Sequence, residues 1–221
     1  MINKYFLAKM NIPAYLKKFL YRNSESEYEE LPDGYTRVEY IESTGTQYID
    51  TGLVSTSNTR ILTKLSWNNV TARQLIGADG GAYFGVVNNY WQIGDTGTNT
   101  SSIAAISNTW YDVEFTVIQN TSTTANLTLS VNGVSGTNTR SFSKSTPINL
   151  FALGRTNSSP TLYCNCKLGI TYIYQNEILT RNLVPCKNSS GTIGMYDTIT
   201  NTFYTNAGTG TFNVGPVVTK I

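Results

Sequence analysis

Residues 111–118 read YDVEFTVI. Val113, Phe115 and Val117 share one face of an extended chain, and Asp112, Glu114 and Thr116 share the other, because successive strand side chains point to opposite sides. The next segment, ANLTLSVNG (125–133), repeats the alternation with Leu127, Leu129 and Val131 and ends in the turn VNGV. Asn-Gly between alternating runs is a strong hairpin signal, since both central residues of that turn need positive φ. Toward the N-terminus the same period-two pattern recurs in NTRILTKLSW (58–67), RQLIGA (73–78), AYFGVV (82–87) and YWQIG (90–94), separated by NN, DGG and NN turns. TRVEYIE (36–42) and QYIDTG (47–52) read as the first strands, around the turn STGT. Toward the C-terminus come NLFALG (149–154) and the long run CNCKLGITYIYQNEIL (164–179). This many short strands with polar turns predicts an all-β fold of two antiparallel sheets packed face to face, a sandwich or jelly roll. No helix is expected after residue 33.

Composition agrees. Only 14% of the 221 residues are charged, against roughly 25% in an average globular domain, while 40% are hydrophobic and 12% aromatic. Low charge with many aromatics indicates a packed core rather than disorder. The net charge of +2 offers no basic stripe for nucleic acid. The chain has no His, which removes the usual general base and the commonest metal ligand. Cys164, Cys166 and Cys186 are too few for a structural zinc site, which takes four ligands. They read as small buried hydrophobes, with a disulfide from Cys186 to one of the other two left open.

The segment VPCKNSSGTIGMYDTITNTFYTNAGTGTF (184–212) is nearly uncharged, yet too aromatic for a linker. MYD and TFY read as a hairpin with Asn201 near its turn, and the glycines of AGTGTF suit sharp backbone turns that deliver Phe212 to the core. The segment is expected to close the sandwich, with Tyr196, Phe203, Tyr204 and Phe212 beside the early strand that carries Tyr40 and Tyr48.

The N-terminal residues differ in kind. MINKYFLAKMNIPAYLKKFLYR (1–22) has helical spacing, with Tyr5 and Phe6 on one face and Leu16, Phe19 and Leu20 on another after Pro13. Residues 1–32 are therefore expected to be a short helical docking arm followed by the charged linker SESEYEE; residues 33–215 form the β domain and 216–221 a tail. Lysines interrupt every apolar run here, so neither a signal peptide nor a membrane span is expected. Synthesis in a cytoplasm without an export route follows as the expectation.

The stretches YIESTGTQYIDTG (40–52), PCKNSSGTIGMYD (185–197) and FYTNAGTGTF (203–212), with WYDVEF (110–115) and LSVNG (129–133), resemble a group of laminin-G-like, concanavalin-A-like jelly-roll domains. The resemblance covers residues 31–215. Such domains recur in bacteriophage virion proteins and in proteins of gut bacteria. It implies a non-enzymatic virion structural protein made in the host bacterial cytoplasm: a capsid decoration, head fibre or tail component. Its partners would be other virion proteins through residues 1–24, host polysaccharide, and further copies of the chain. The alternative it leaves open is a carbohydrate-binding module of a bacterial surface or secreted protein.

Three constellations bear on chemistry. Retaining glycosidases of this fold carry a strand motif with three acids, two of them about 5 Å apart. Asp112 and Glu114 lack the motif's leading Glu and its third acid, so no hydrolase activity is expected. Trp67 with Asn88, Asn89, Tyr90, Trp91 and Gln92 gathers flat rings and amides, the groups that stack on sugar CH faces and bond hydroxyls. These are the glycan-binding candidates, against a core role for the two tryptophans. Asp79 in ADGG and Asp95 in GDTG are the calcium candidates, against plain turn chemistry. No other cofactor is expected.

Overall fold

Phe115 and Phe84 meet with ring centroids 5.4 Å apart, one from each of two packed sheets. The computed structural model describes residues 30–94 and 103–219. The expected arm, with Tyr5, Phe6, Leu16, Phe19 and Leu20, lies outside the described residues, as does Asp95. In chain order the strands are β1 (Tyr35–Arg37), β2 (Ile41–Thr44), β3 (Ile49–Val54), β4 (Asn58–Trp67), β5 (Gln74–Ala78) and β6 (Ala82–Val87). Then follow β7 (Tyr90–Ile93), β8 (Trp110–Gln119), β9 (Thr124–Val131), β10 (Val134–Ser141), β11 (Pro147–Leu150) and β12 (Leu153–Gly154). The last are β13 (Asn165–Gln175), β14 (Ile178–Asn188), β15 (Ile193–Asp197), β16 (Thr202–Thr205) and β17 (Asn213–Val214). The described residues contain no helix.

The larger sheet runs β10-β9-β8-β4-β13-β14-β15-β16, with β2 on the first half of the β13 edge whose second half pairs with β14, β17 beside β2, and β1 beside β14. The smaller sheet runs β3-β11-β5-β6-β7. All pairings are antiparallel except the short β12–β5 contact. Alternation decides what lies between the sheets. Ile61, Thr63 and Leu65 of β4 stand opposite Phe115, Val113 and Tyr111 of β8, and Val113, Phe115 and Val117 stand opposite Val131, Leu129 and Leu127 of β9. The smaller sheet supplies Ile76, Phe84, Val86, Trp91, Ile93, Ile148 and Leu150, all buried in the same core. Each such side chain withdrawn from water contributes about 1.5–3 kcal/mol before chain entropy is counted.

Two-residue turns set the registers. Asn88-Asn89 (φ 49° and 67°) joins β6 to β7, and Asn132-Gly133 (φ 49° and 83°) joins β9 to β10. Asn tolerates the left-handed region because its short polar side chain bonds locally. The run 164–179 is not one strand. It reverses at Asn176-Glu177 (φ 51° and 63°) to make the β13–β14 hairpin. Glu is a poor residue for that conformation, but Glu177 is held there: Asn58 Nδ2 donates to its carboxylate at 3.1 Å and Arg60 lies 3.8 Å away. NLFALG likewise breaks at Phe151, whose φ of +66° throws a fully buried ring into the core. At STGT the chain changes sheets, so β2 and β3 do not pair. Buried Gln47 braces this corner: its Oε1 accepts from Thr44 N at 2.8 Å and Ser43 Oγ at 3.0 Å.

The segment 184–212 closes on the early strands. Ala207 N donates to Tyr48 O at 3.0 Å and Thr209 N to Thr46 O at 3.2 Å, while Asn206 Oδ1 accepts from Tyr48 N at 3.2 Å. A Cβ at Gly208 would sit 2.2 Å from Thr46 O and 3.1 Å from the Tyr48 ring, so only glycine permits this approach. Phe212 is 2% exposed and packs on Phe151 at 5.0 Å. The aromatic partners differ from expectation. Tyr196 and Phe203 pack on Tyr35 (4.8 and 5.1 Å), whereas Tyr40 packs on Trp110 and Tyr48 on Tyr163. The reason is register: β14 takes β1 on one edge and β15 on the other, which brings the rings of β1, β15 and β16 together.

Asp197 anchors the β15–β16 turn. It is fully buried, accepts from Asn182 N (2.9 Å), Ile199 N (3.1 Å) and Thr200 Oγ1 (2.6 Å), and lies 3.6 Å from Arg181. Arg181 Nε also donates to Thr51 O at 3.0 Å, tying β14 of the larger sheet to β3 of the smaller one.

Candidate functional site

The β6–β7 turn is a braced tip. Asn89 N donates to Val70 O at 2.8 Å, Asn89 O accepts from Ala105 N at 2.9 Å, and Asn89 Nδ2 donates to Ala105 O at 3.2 Å. Asn88 N donates to Thr71 O at 3.4 Å. The tip is thus held between the loops around residues 68–73 and 103–109. Tyr90 leaves it with 53% of its surface exposed, and Asn88 and Asn89 are exposed beside it.

The other glycan candidates are elsewhere. Trp67 and Trp91 are fully buried, 6.1 Å apart ring to ring, and Trp91 meets Tyr111 edge-on at 5.2 Å. Gln92 is 3% exposed. None of the three presents a side chain to a solvent-borne sugar. For Trp91 the physical reason is strand alternation: with Tyr90 turned outward, it must turn inward. Gln92 has Tyr90's phase but is buried, its Nε2 donating to Gly94 O at 3.4 Å. Asn89 keeps its side-chain amide engaged in bracing the turn. The exposed part of the predicted set is therefore Tyr90 with Asn88 and Asn89.

Asp112 and Glu114 stand on the outer face of the larger sheet, opposite Lys64 and Leu62 of β4. Asp112 is exposed, while Glu114 lies 3.6 Å from the Arg60 guanidinium. Burial pushes the Glu114 carboxyl above its usual range, and the nearby Arg60 only partly opposes this. Arg60 itself is 4% exposed and stacks 4.1 Å over the Tyr174 ring. The pair is thus one free carboxylate and one guanidinium-paired carboxyl.

Asp79 is engaged by the turn it sits in. Its Oδ1 accepts from Gly80 N at 2.9 Å and its Oδ2 from Arg155 Nε at 3.0 Å. Among the described residues no group of three His, Cys, Asp or Glu side chains is placed to hold a metal ion. The cysteines are free and buried. Cys164 Sγ donates to Leu75 O at 3.0 Å, burial raises the Cys166 thiol far above its ordinary value, and burial pushes Cys186 up to about 12.

Sequence reading missed one exposed aromatic feature. Trp110 is 38% exposed at the start of β8, with the Tyr40 ring 5.5 Å away at an angle of 55°. The signal was present: Trp110 has the phase of Asp112 and Glu114, the outward set of its strand.

No helix among the described residues is long and apolar enough to cross a membrane. No protein-family model matches the chain, and no curated protein matches it.

Proposed function

We propose that the chain is a non-enzymatic structural protein of a bacteriophage virion, a capsid decoration, head fibre or tail component. It attaches through residues 1–24 to other virion proteins and carries a jelly roll that adheres weakly to neutral host glycans. The jelly-roll reading is supported by the path of the chain, which alternates between the sheets: β2 in the larger, β3 in the smaller, β4 in the larger, β5–β7 in the smaller, β8–β10 in the larger, β11 and β12 in the smaller. The virion assignment is supported by the resemblance of residues 31–215 to domains of such particles.

The observation that carries the adhesion reading is the braced tip. Its hydrogen bonds to Val70 and Ala105 fix the backbone that presents a half-exposed Tyr90 beside neutral amides, so little backbone freedom is lost on contact. A flat ring takes the CH face of a pyranose, and amides take its hydroxyls. One such contact is worth about 4 kcal/mol, a millimolar affinity, and many copies on one particle would raise it through avidity. The test displays the chain multivalently on an array of neutral glycans beside a Tyr90→Ala variant whose fold is verified by near-UV circular dichroism. Loss of signal in the variant is expected. Equal signal in both forms overturns the tip as the contact, and none in either overturns the adhesion reading.

A further inference from the structure

The outer face of the larger sheet holds a row that no turn supplies. By register, Trp110 of β8 stands opposite Ser66 of β4, Ser66 opposite Lys167 of β13, Lys167 opposite Glu42 of β2, and Glu42 opposite Asn213 of β17. Directly paired residues share a face, so one line across the strands reads aromatic, small, cation, carboxylate, amide. At the usual spacing of neighbouring strands, Trp110 lies about 10 Å from Lys167 along this line, the span of a disaccharide.

The aromatic end is fixed in place. Tyr40 props the indole at 5.5 Å. Tyr40 is itself backed by Gly215, where an added Cβ would fall 2.7 Å from the ring, and Gly215 N donates to Tyr40 O at 2.9 Å. Lys167 Nζ lies 5.6 Å from the centre of the Tyr40 ring. At the polar end, Glu42 accepts from Asn68 Nδ2 through one oxygen and from Asn213 Nδ2 through the other. The row thus has one immobilised flat ring, still 38% open to solvent, and a set of oriented polar groups. A protein partner would want a contiguous apolar patch. Here the Trp110 ring has Asp112 and Lys64 beside it on the same face, and the Ser66 opposite it is buried.

We infer that this row is a saccharide-binding platform: Trp110 stacks on the CH face of one pyranose, and Lys167, Glu42 and Asn213 take hydroxyls of that ring and the next. It deepens the glycan-adhesion reading and rests on it for the class of ligand, but it uses different residues. The experiment applies the full chain to immobilised linear oligosaccharides of glucose, galactose and N-acetylhexosamine, beside Trp110→Ala, Trp110→Phe and Tyr90→Ala. Removing the indole is expected to weaken binding at least about tenfold, with the Phe variant intermediate. Binding lost in Tyr90→Ala but intact in Trp110→Ala overturns the platform and leaves the tip standing. Binding lost only in Trp110→Ala supports the platform and overturns the tip. No binding by the unmodified chain overturns both.

A second readout needs no variant. Trp67 and Trp91 are buried, so acrylamide quenching of the native protein reports on Trp110. A binding oligosaccharide is expected to protect that fluorescence; unchanged quenching at saturating sugar overturns the platform.

Discussion

Replacing Phe212 by Ala tests whether the segment 184–212 closes the domain or merely lies on it. The side chain is 2% exposed, its ring packs on Phe151 at 5.0 Å, and Phe151 is itself fully buried. Phe→Ala changes in cores cost about 3–5 kcal/mol, the lost transfer energy plus the cavity. Phe151 is fixed by its positive φ and cannot readily move to fill the space, so the upper half of that range applies. With a urea m-value of about 2 kcal/mol/M, a loss of about 4 kcal/mol lowers the unfolding midpoint by about 2 M. A domain with typical stability of about 5–15 kcal/mol would remain folded in buffer. The assay is equilibrium urea unfolding followed by fluorescence and by far-UV circular dichroism. Val214→Ala, at a 40%-exposed position two residues on, serves as control and should change stability by no more than about 0.5 kcal/mol. A Phe212→Ala loss below about 1 kcal/mol, with the C-terminal segment newly open to protease, would refute the reasoning: the segment would then fray on its own and the sheets would hold without it.

Asp197→Ala should destabilise by about 3–5 kcal/mol, because it strands a largely buried Arg181 guanidinium and leaves Asn182 N without its acceptor; thermal unfolding measures it, and a loss under about 1 kcal/mol would show that Arg181 finds another partner. The three cysteines should resist thiol reagents in the native state: all are buried, and with Cys186 pushed up to about 12 its thiolate fraction at pH 8 is about 10⁻⁴, so prompt labelling before unfolding would contradict the structure. Burial raises the Glu114 carboxyl in the folded chain, so the folded state holds that proton more tightly than the unfolded one. Its stabilising contribution is full below the ordinary carboxylate range and is lost as pH rises through the raised value. Glu114→Gln should therefore flatten the decline in melting temperature above about pH 4 and leave sugar binding unchanged; an identical pH profile would remove Glu114 as its source.

Much of the architecture was legible because its signals are local. The alternation of YDVEFTVI and ANLTLSVNG names the core side of β8 and β9 without reference to any other strand. Asn88-Asn89 and Asn132-Gly133 mark hairpins through their own tolerance of positive φ. The glycines of AGTGTF announce close approach of the backbone, and Gly208 against Thr46 is that approach. The turn at Asn176-Glu177 gave no such signal, since Glu favours neither the turn nor the conformation. What holds it there is Arg60 and Asn58, more than a hundred residues earlier.

The candidate site was less legible, for the same reason. Period two tells which residues share a face, not which face meets the other sheet when both carry large aromatics. Tyr90, Trp91 and Trp67 looked alike in sequence; in the fold Trp91 packs inward against Tyr111 and Trp67, and Tyr90 is left out. Trp110 and Tyr40 are seventy positions apart in the chain and become neighbours only because β2 and β8 both reach the outer face across β13 and β4. Sequence alone therefore determined that this chain is built of alternating strands, where they turn, and that its glycine-rich end must approach its beginning, because those are properties of the backbone and of adjacent side chains. Tertiary structure decided which aromatics are core and which are surface, and which charges are buried in pairs, because burial depends on partners that distant strands bring into register.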